Sequence, residues 1–200
     1  MEDCNTVNMP ADPGLQLTKS SENNKTTHYP YRQLVGSLLY LAMGKRPDIC
    51  WIVSKLSQFL DCPSDEHITT AKRVLRYIKK TIDYTLHFKP STDLLHGFSD
   101  SDWRGDQEDR KSITGYIFLY GNSPISWNSR KQQTVALSST EAELMAITES
   151  TKKAFYLRKL FKSLDTDTNE QTNVFGDNLS AIAMTKPSSK QHQRSKHMEI

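Results

Sequence analysis

The apolar residues of this chain change their spacing once, near residue 82, and that change divides what it can fold into. Before it, Tyr31, Leu34, Val35, Leu38, Leu41 and Ala42 recur at helical spacing, and Gly44 sits where a helix would stop. A second helix is expected after Arg46-Pro47, with Asp48 near its start and Ile49, Ile52, Val53, Leu56, Phe59 and Leu60 along one side. Cys62-Pro63-Ser64 breaks it, and Ser64 with His67 three residues on makes an imperfect cap for a third helix. That helix turns Ile68, Ala71, Leu75 and Ile78 inward, so three helices with short breaks form a small bundle. Beyond the change, Tyr84, Leu86 and Phe88 alternate with polar residues as a strand does. Further strands are expected at Leu94–Ser99, Ile113–Tyr120 and Ile125–Asn128, with Gly121-Asn122-Ser123-Pro124 as a hairpin loop. Ser138-Ser139-Thr140-Glu141 is a capping box opening a helix over residues 139–164. Val174-Phe175 reads as a short buried strand and residues 178–184 as a short helix. Strands followed by helix, strand and helix give an α/β class with a mixed sheet.

Three segments follow. Residues 1–28 are polar, with Pro10, Pro13 and the run Ser20-Ser21-Glu22-Asn23-Asn24, and are expected to be a disordered lead-in. Residues 29–90 form the helical segment and residues 91–200 the α/β domain. The net charge of +3 is unevenly spread: residues 31–90 carry ten basic and five acidic side chains. The face bearing Lys72, Arg73, Lys79 and Lys80 is therefore the first candidate for a phosphate backbone, against the alternative of a solvated helix face. Cys4, Cys50 and Cys62 share no paired spacing and no ligand pattern with the six histidines, which argues for free thiols in a reducing compartment. The longest apolar stretch, Leu34 to Met43, is broken by Gly36 and Ser37 and is too short to span a bilayer. With no basic and apolar leader at Met1-Glu2-Asp3-Cys4, a cytoplasmic or nuclear location is expected and no membrane partner.

The chemistry concentrates in three strings: Phe98-Ser99-Asp100-Ser101-Asp102, Ser138-Ser139-Thr140-Glu141-Ala142-Glu143 and Phe175-Gly176-Asp177-Asn178. Each puts a carboxylate at a strand end or in the first turns of a helix. Taken singly, Asp177 reads as a turn former and Glu143 as a partner of the helix dipole. Glu141 is accounted for as the reciprocal capping partner of Ser138, whereas Glu143 has no such local task. Taken together, carboxylates from separate elements make sense around a shared divalent cation, because otherwise their repulsion goes uncompensated.

A wider set of strings carries a resemblance. Asp100-Ser-Asp-Trp-Arg-Gly-Asp106, Arg110-Lys-Ser-Ile-Thr-Gly-Tyr116, Ser126-Trp127, Ser138 to Glu143, Asp177-Asn178-Leu-Ser-Ala-Ile182 and Ser195-Lys-His197 resemble the ribonuclease H domain of copia-type retrotransposon Pol polyproteins. Tyr31-Arg-Gln-Leu-Val-Gly-Ser-Leu-Leu-Tyr40, Arg46-Pro-Asp-Ile49 and Lys72-Arg-Val-Leu-Arg-Tyr77 resemble the thumb and connection of the same family's reverse transcriptase. The resemblance implies a ribonuclease H-like mixed sheet with a helix packed on it, preceded by a three-helix segment. It further implies Asp100, Glu143 and Asp177 as catalytic metal ligands, two Mg2+ or Mn2+ ions, and the RNA strand of an RNA–DNA hybrid as substrate. Two departures accompany it. No Asp-Asp pair occurs, so the polymerase portion is expected to be missing, and the family's continuation with a fourth carboxylate is expected to lie past Ile200. Loss of activity through truncation, leaving a nucleic-acid-binding remnant, is the competing expectation.

Other residues carry weaker signals. Arg130, Lys131, Gln132 and Gln133 are dense in donors and are candidates for contact with the hybrid backbone, or simply a solvated loop. Trp103 and Trp127 are expected in the core rather than stacked on bases. His192 and His197 have no ligand spacing. Arg73-Val-Leu-Arg76 matches the Arg-x-Leu-Arg signature of secreted oomycete effectors, but the four-residue string lies on an amphipathic helix that explains it, and with no leader expected a secreted effector is the less favoured reading.

Overall fold

The computed structural model describes residues 3–19, 29–89, 94–106, 108–164 and 171–186. The chain divides into two compact units, Met1–His87 with Asn128–Arg130, and Phe88–Trp127 with Lys131–Ile200. The string Ser195 to His197, together with His192 and residues 20–28, lies outside the described residues.

The first unit holds α1 (Tyr31–Gly44), α2 (Cys50–Leu56) and α3 (Asp65–Lys80), with 3-10 turns at Pro47–Ile49 and Ser57–Phe59 on either side of α2. Val35, Ile49, Val53, Leu56, Ala71 and Val74 are wholly enclosed among these helices. The inward face of α3 is His67, Ile68, Ala71, Val74 and Tyr77, one residue out of phase with expectation, and Leu75 and Ile78 are only half-buried. Ser64 and His67 do form a reciprocal capping box: the Ser64 amide donates to His67 Nδ1 at 2.8 Å, and Ser64 Oγ accepts from the His67 amide. The alternating residues after α3 form no strand, because no neighbouring strand pairs with them. Tyr84 instead lies beside the guanidinium of Arg46, 5.8 Å from ring centroid to Cζ.

Arg46 is 7% exposed yet fully engaged, donating to Asp48 at 2.7 Å and to the carbonyl of Thr81 at 3.2 Å. Tyr77 donates to the other side of the pair, to Asp48 Oδ2 at 2.9 Å. Burial opposes ionisation of Asp48, but hydrogen bonds from Arg46 and Tyr77 outweigh it and hold that carboxyl below its ordinary value. The cluster thus ties the turn before α2 to the end of α3.

Residues 3–19, expected to be a loose lead-in, lie along α3. Leu17 is buried in the helical core, and Val7, Ala11 and Leu15 pack against that core. Their apolar side chains sit between polar neighbours, so composition alone concealed them.

The second unit holds a four-stranded mixed sheet in the order β3-β2-β1-β4, built from β1 (His96–Asp102), β2 (Ile113–Tyr120), β3 (Ser123–Lys131, of which Asn128–Arg130 group with the first unit) and β4 (Asn173–Phe175). Helix α4 (Ser139–Ser163) packs on β1 and β2, and the short α5 (Leu179–Met184) follows β4. This is the arrangement expected: an α/β, ribonuclease H-like mixed sheet with a helix packed on it, preceded by three helices. β1 runs antiparallel to β2, pairing Asp100 with Gly115 and Ser101 with Thr114. It runs parallel to β4, pairing Phe98 with Phe175. The β2–β3 turn is tighter than expected: Gly121 and Asn122 both take φ of 58°, the two-residue turn suited to a twisted hairpin, and β3 runs on to Lys131. β4 is an edge strand with Phe175 49% exposed, not a buried one.

Under the sheet, Phe118 is fully buried with Leu95, Ala154 and Leu157 around it. Its ring lies flat against Gly97 of the neighbouring strand, so a Cβ there would come within 2.5 Å of Phe118 Cε1. Gly97→Ala should therefore destabilise the second unit by about 1–3 kcal/mol through forced displacement of that ring, read as a lower urea midpoint at unchanged slope.

A candidate metal centre at the strand ends

Two parallel strands in matched register set up the site. Phe98 and Phe175 are direct partners, and Asp100 and Asp177 each follow two residues later. Both carboxylates therefore lie just past the end of the β1–β4 pairing, Asp177 beyond β4 and Asp100 still within β1 opposite Gly115, because β1 runs on to Asp102 and does not stop at Ser99 as expected. Helix α4 brings the third: Ser138 caps it, accepting from the Glu141 amide at 3.1 Å, and Glu143 follows in the first turns. Asp100, Glu143 and Asp177 each offer one oxygen, and those oxygens lie within 4.8 Å of one another. No other group of three or more acidic, histidine or cysteine side chains of this kind occurs among the described residues.

The three carboxylates differ in environment. Asp100 and Asp177 are exposed, whereas Glu143 is only 7% exposed. Glu143 Oε1 accepts from the backbone amide of Ser101 at 3.2 Å, while the buried Oε2 has no hydrogen-bond partner. Desolvation, then repulsion from Asp100 and from Asp177, pushes the Glu143 carboxyl up to about 7, and the Ser101 amide only partly offsets them. A buried, unsatisfied carboxylate oxygen facing two further carboxylates is a donor set that suits a hard divalent cation.

The neighbouring acidic residues are otherwise engaged. Glu141 Oε2 accepts from the amide of Leu137 at 2.7 Å, one residue before the partner a capping box requires. Asp106 is paired with Lys131 and accepts from the amides of Glu108 and Asp109. These bonds overcome the cost of its burial and hold its carboxyl below the ordinary value. Asp102 stands against Gly105 in the turn that follows β1.

The expected nucleic-acid residues are placed less simply. Arg130 and Gln133 are exposed. Lys131 spans Asp106 and Asp109, the second at 2.9 Å. Gln132 is buried, its amide turned inward to Thr114, Ser101 and the carbonyl of Ala142. Trp103 is 39% exposed, donating to the Ala136 carbonyl and stacking under Arg104 at 4.4 Å. In the first unit, every member of the basic α3 face is met by another part of that unit. Lys72 lies over the Tyr29 ring, and Arg73 pairs with Asp12 at 2.7 Å. Lys79 donates to the Cys4 carbonyl and Lys80 to Asn8. Gln132 and the Ser101 amide are the site residues that sequence reasoning missed as such. No sequence signal marks them, because both act through contacts that only the folded sheet creates.

The match to known proteins is broad. The chain is 37% identical over its whole length to the retrovirus-related Pol polyprotein from transposon TNT 1-94 of Nicotiana tabacum, covering 15% of that protein. It is 37% identical over 97% of its length to the Pol polyprotein from transposon RE1 of Arabidopsis thaliana, covering 13% of it. The chain thus spans about one-seventh of the curated Pol relatives it matches. A protein of Plasmopara viticola, secreted RxLR effector protein 161, is 47% identical over 64% of this chain, which covers 91% of that relative. No family model and no solved structure matches.

Without a cation, Glu143 should make the second unit pH-sensitive in one direction. Its folded value lies above the ordinary 4.5, so its stabilising contribution is present below about 4.5 and is lost as pH rises through about 7. Glu143→Gln should accordingly melt above wild type at pH 8 in chelator, with the gap closing by pH 4.5. Scanning fluorimetry across that range measures it.

Proposed function

The chain belongs to the retrovirus-related Pol polyproteins of transposons, and we propose that its second unit is a ribonuclease H-like centre acting on the RNA strand of an RNA–DNA hybrid. The convergence of Asp100, Glu143 and Asp177 within 4.8 Å carries this reading. The unsatisfied Glu143 Oε2 supports occupation by a divalent cation, Mg2+ or Mn2+, held by these three side chains. Bound there, a pair of such cations supplies an activated water and a counter-charge for the leaving 3′ oxygen. Asp100 and Asp177, exposed just past the end of the β1–β4 pairing, face the solvent from which substrate arrives. Glu143, enclosed behind them and fixed by the Ser101 amide, sets the back wall of the site.

No helix among the described residues is long and apolar enough to cross a membrane. Hybrid contact by the α3 cations carries a condition: residues 4–12 must first leave the basic face, because Asp12, Asn8 and the Cys4 carbonyl occupy it. The name of the Plasmopara relative draws attention to Arg73-Val-Leu-Arg76. Here Val74 is fully buried, Arg73 pairs with Asp12, and Arg76 donates to the Asn5 carbonyl, so the string is accounted for by bundle packing.

Magnesium-dependent cleavage of a labelled hybrid separates a nuclease from a binding remnant. Product in Mg2+ that Asp100→Asn abolishes, with hybrid binding retained, is the expected result. Binding without cleavage at any Mg2+ or Mn2+ concentration would leave the remnant. Separately, removing residues 1–12 should steepen the fall of hybrid affinity with salt, by about one unit of slope for each cation freed. An unchanged slope would return the α3 face to a solvated, structural role.

A further inference from the structure

Gln132 stands at a junction that no local pattern announces. It follows the last residue of β3, is 9% exposed, and its own amide donates to the Ser112 carbonyl at 2.8 Å. Its side-chain Nε2 lies 2.9 Å from the Ala142 carbonyl, 3.0 Å from Thr114 Oγ1 and 3.4 Å from Ser101 Oγ. Ala142 precedes Glu143, Ser101 follows Asp100, and Thr114 is the cross-strand partner of Ser101. One primary amide therefore touches the immediate neighbour of two of the three converging carboxylates. The Ser101 amide closes the circuit through its hydrogen bond to Glu143 Oε1.

The electrostatics call for such a brace. Asp100 and Asp177 both repel Glu143, and among the described residues no cationic side chain forms an ion pair with any of the three. Repulsion opposes the convergence of Glu143, on α4, with Asp100, on β1. A neutral amide can bridge that gap without adding charge to the site, and its two hydrogens are shared among acceptors on β1, β2 and α4. A lysine in this place would neutralise the carboxylates and compete with the cation.

Resting on the cation reading of the site, we infer that Gln132 is a positioning residue: it touches no ion or substrate, but fixes the separation of Asp100 and Glu143 at which a divalent cation is held. Supporting groups of this kind usually matter by 10–100-fold in metal affinity.

The experiment uses the full chain and Mn2+ alone, with free Mn2+ followed by electron paramagnetic resonance and the Ser101 amide followed by NMR. Gln132→Met keeps length and removes both donors. Thr114→Val removes one acceptor and serves if the first variant does not fold. Ala154→Gly, three turns along α4, is the control for simple loss of stability. Gln132→Met should weaken Mn2+ binding at least about tenfold and shift the Ser101 amide, Thr114→Val should do both to a smaller extent, and Ala154→Gly should do neither. Wild-type affinity in folded Gln132→Met or, should that variant not fold, in Thr114→Val overturns the inference, as does an equal loss in Ala154→Gly. If wild type itself takes up no Mn2+, the cation reading fails. The amide arm then decides alone: a Ser101 shift confined to the Gln132 and Thr114 variants upholds the positioning role, and its absence removes it.

Discussion

Mutual repulsion among three carboxylates is the constraint around which the second unit is arranged. Oxygens of Asp100, Glu143 and Asp177 gather within 4.8 Å, and like charges at such distances favour separation or protonation. The fold answers with geometry. Parallel pairing of β1 and β4 brings two of the groups to one sheet end, and α4 is pinned beside them by its Ser138 cap, the Ser101 amide and the Gln132 bridge. Glu143 is both enclosed and flanked, and burial together with repulsion from Asp100 and Asp177 pushes its carboxyl up.

The first unit solves a different problem by similar means. Its charged groups are numerous, and the chain spends its amino-terminal residues on them. Asp12, Asn8 and the Cys4 and Asn5 carbonyls meet Arg73, Lys80, Lys79 and Arg76 while Leu17 anchors the segment in the core. Exposed pairs of this kind contribute little singly, so the apolar anchor is what holds the segment and the polar contacts fix its course along α3. The same unit buries Arg46, and there all three guanidinium nitrogens donate to Asp48 or Thr81, while Tyr77 donates to Asp48 and lies beside the guanidinium with its ring.

Sequence reading was strongest where one period held over several turns. α1, α3, α4 and the existence of the β2–β3 hairpin were legible because apolar spacing and the Ser64 and Ser138 caps agreed, although the buried face of α3 and the two-residue length of the hairpin turn were not. It failed where a neighbour decides the outcome. Tyr84 to Phe88 alternates like a strand but has no strand to pair with, and Tyr84 takes a place beside Arg46 instead. Residues 3–19 read as a lead-in because their few apolar side chains are spaced singly, yet they find a helix to lie on. At the site, the three carboxylates were visible because each sits beside a turn or cap signal. Gln132 looked like a surface donor because its neighbours Arg130, Lys131 and Gln133 are polar, and only the pairing of Ser101 with Thr114 turns it inward.

That difference has a physical basis that extends to the roles of the residues. The three converging carboxylates lie near a turn or a helix cap, where sequence signals are dense, and two of them, Asp100 and Asp177, are exposed. A group that braces such a carboxylate must be enclosed, and its partners are backbone carbonyls and hydroxyls supplied by distant segments. Ligands therefore leave a trace in the order of residues, whereas their supports leave one only in the fold. On the reading proposed for this centre, Asp100, Glu143 and Asp177 would belong to the first kind and Gln132, Ser101 and Thr114 to the second. The proposed chemistry would depend on both, because a cation discriminates among oxygen cages by their dimensions, and in this reading the enclosed groups set those dimensions.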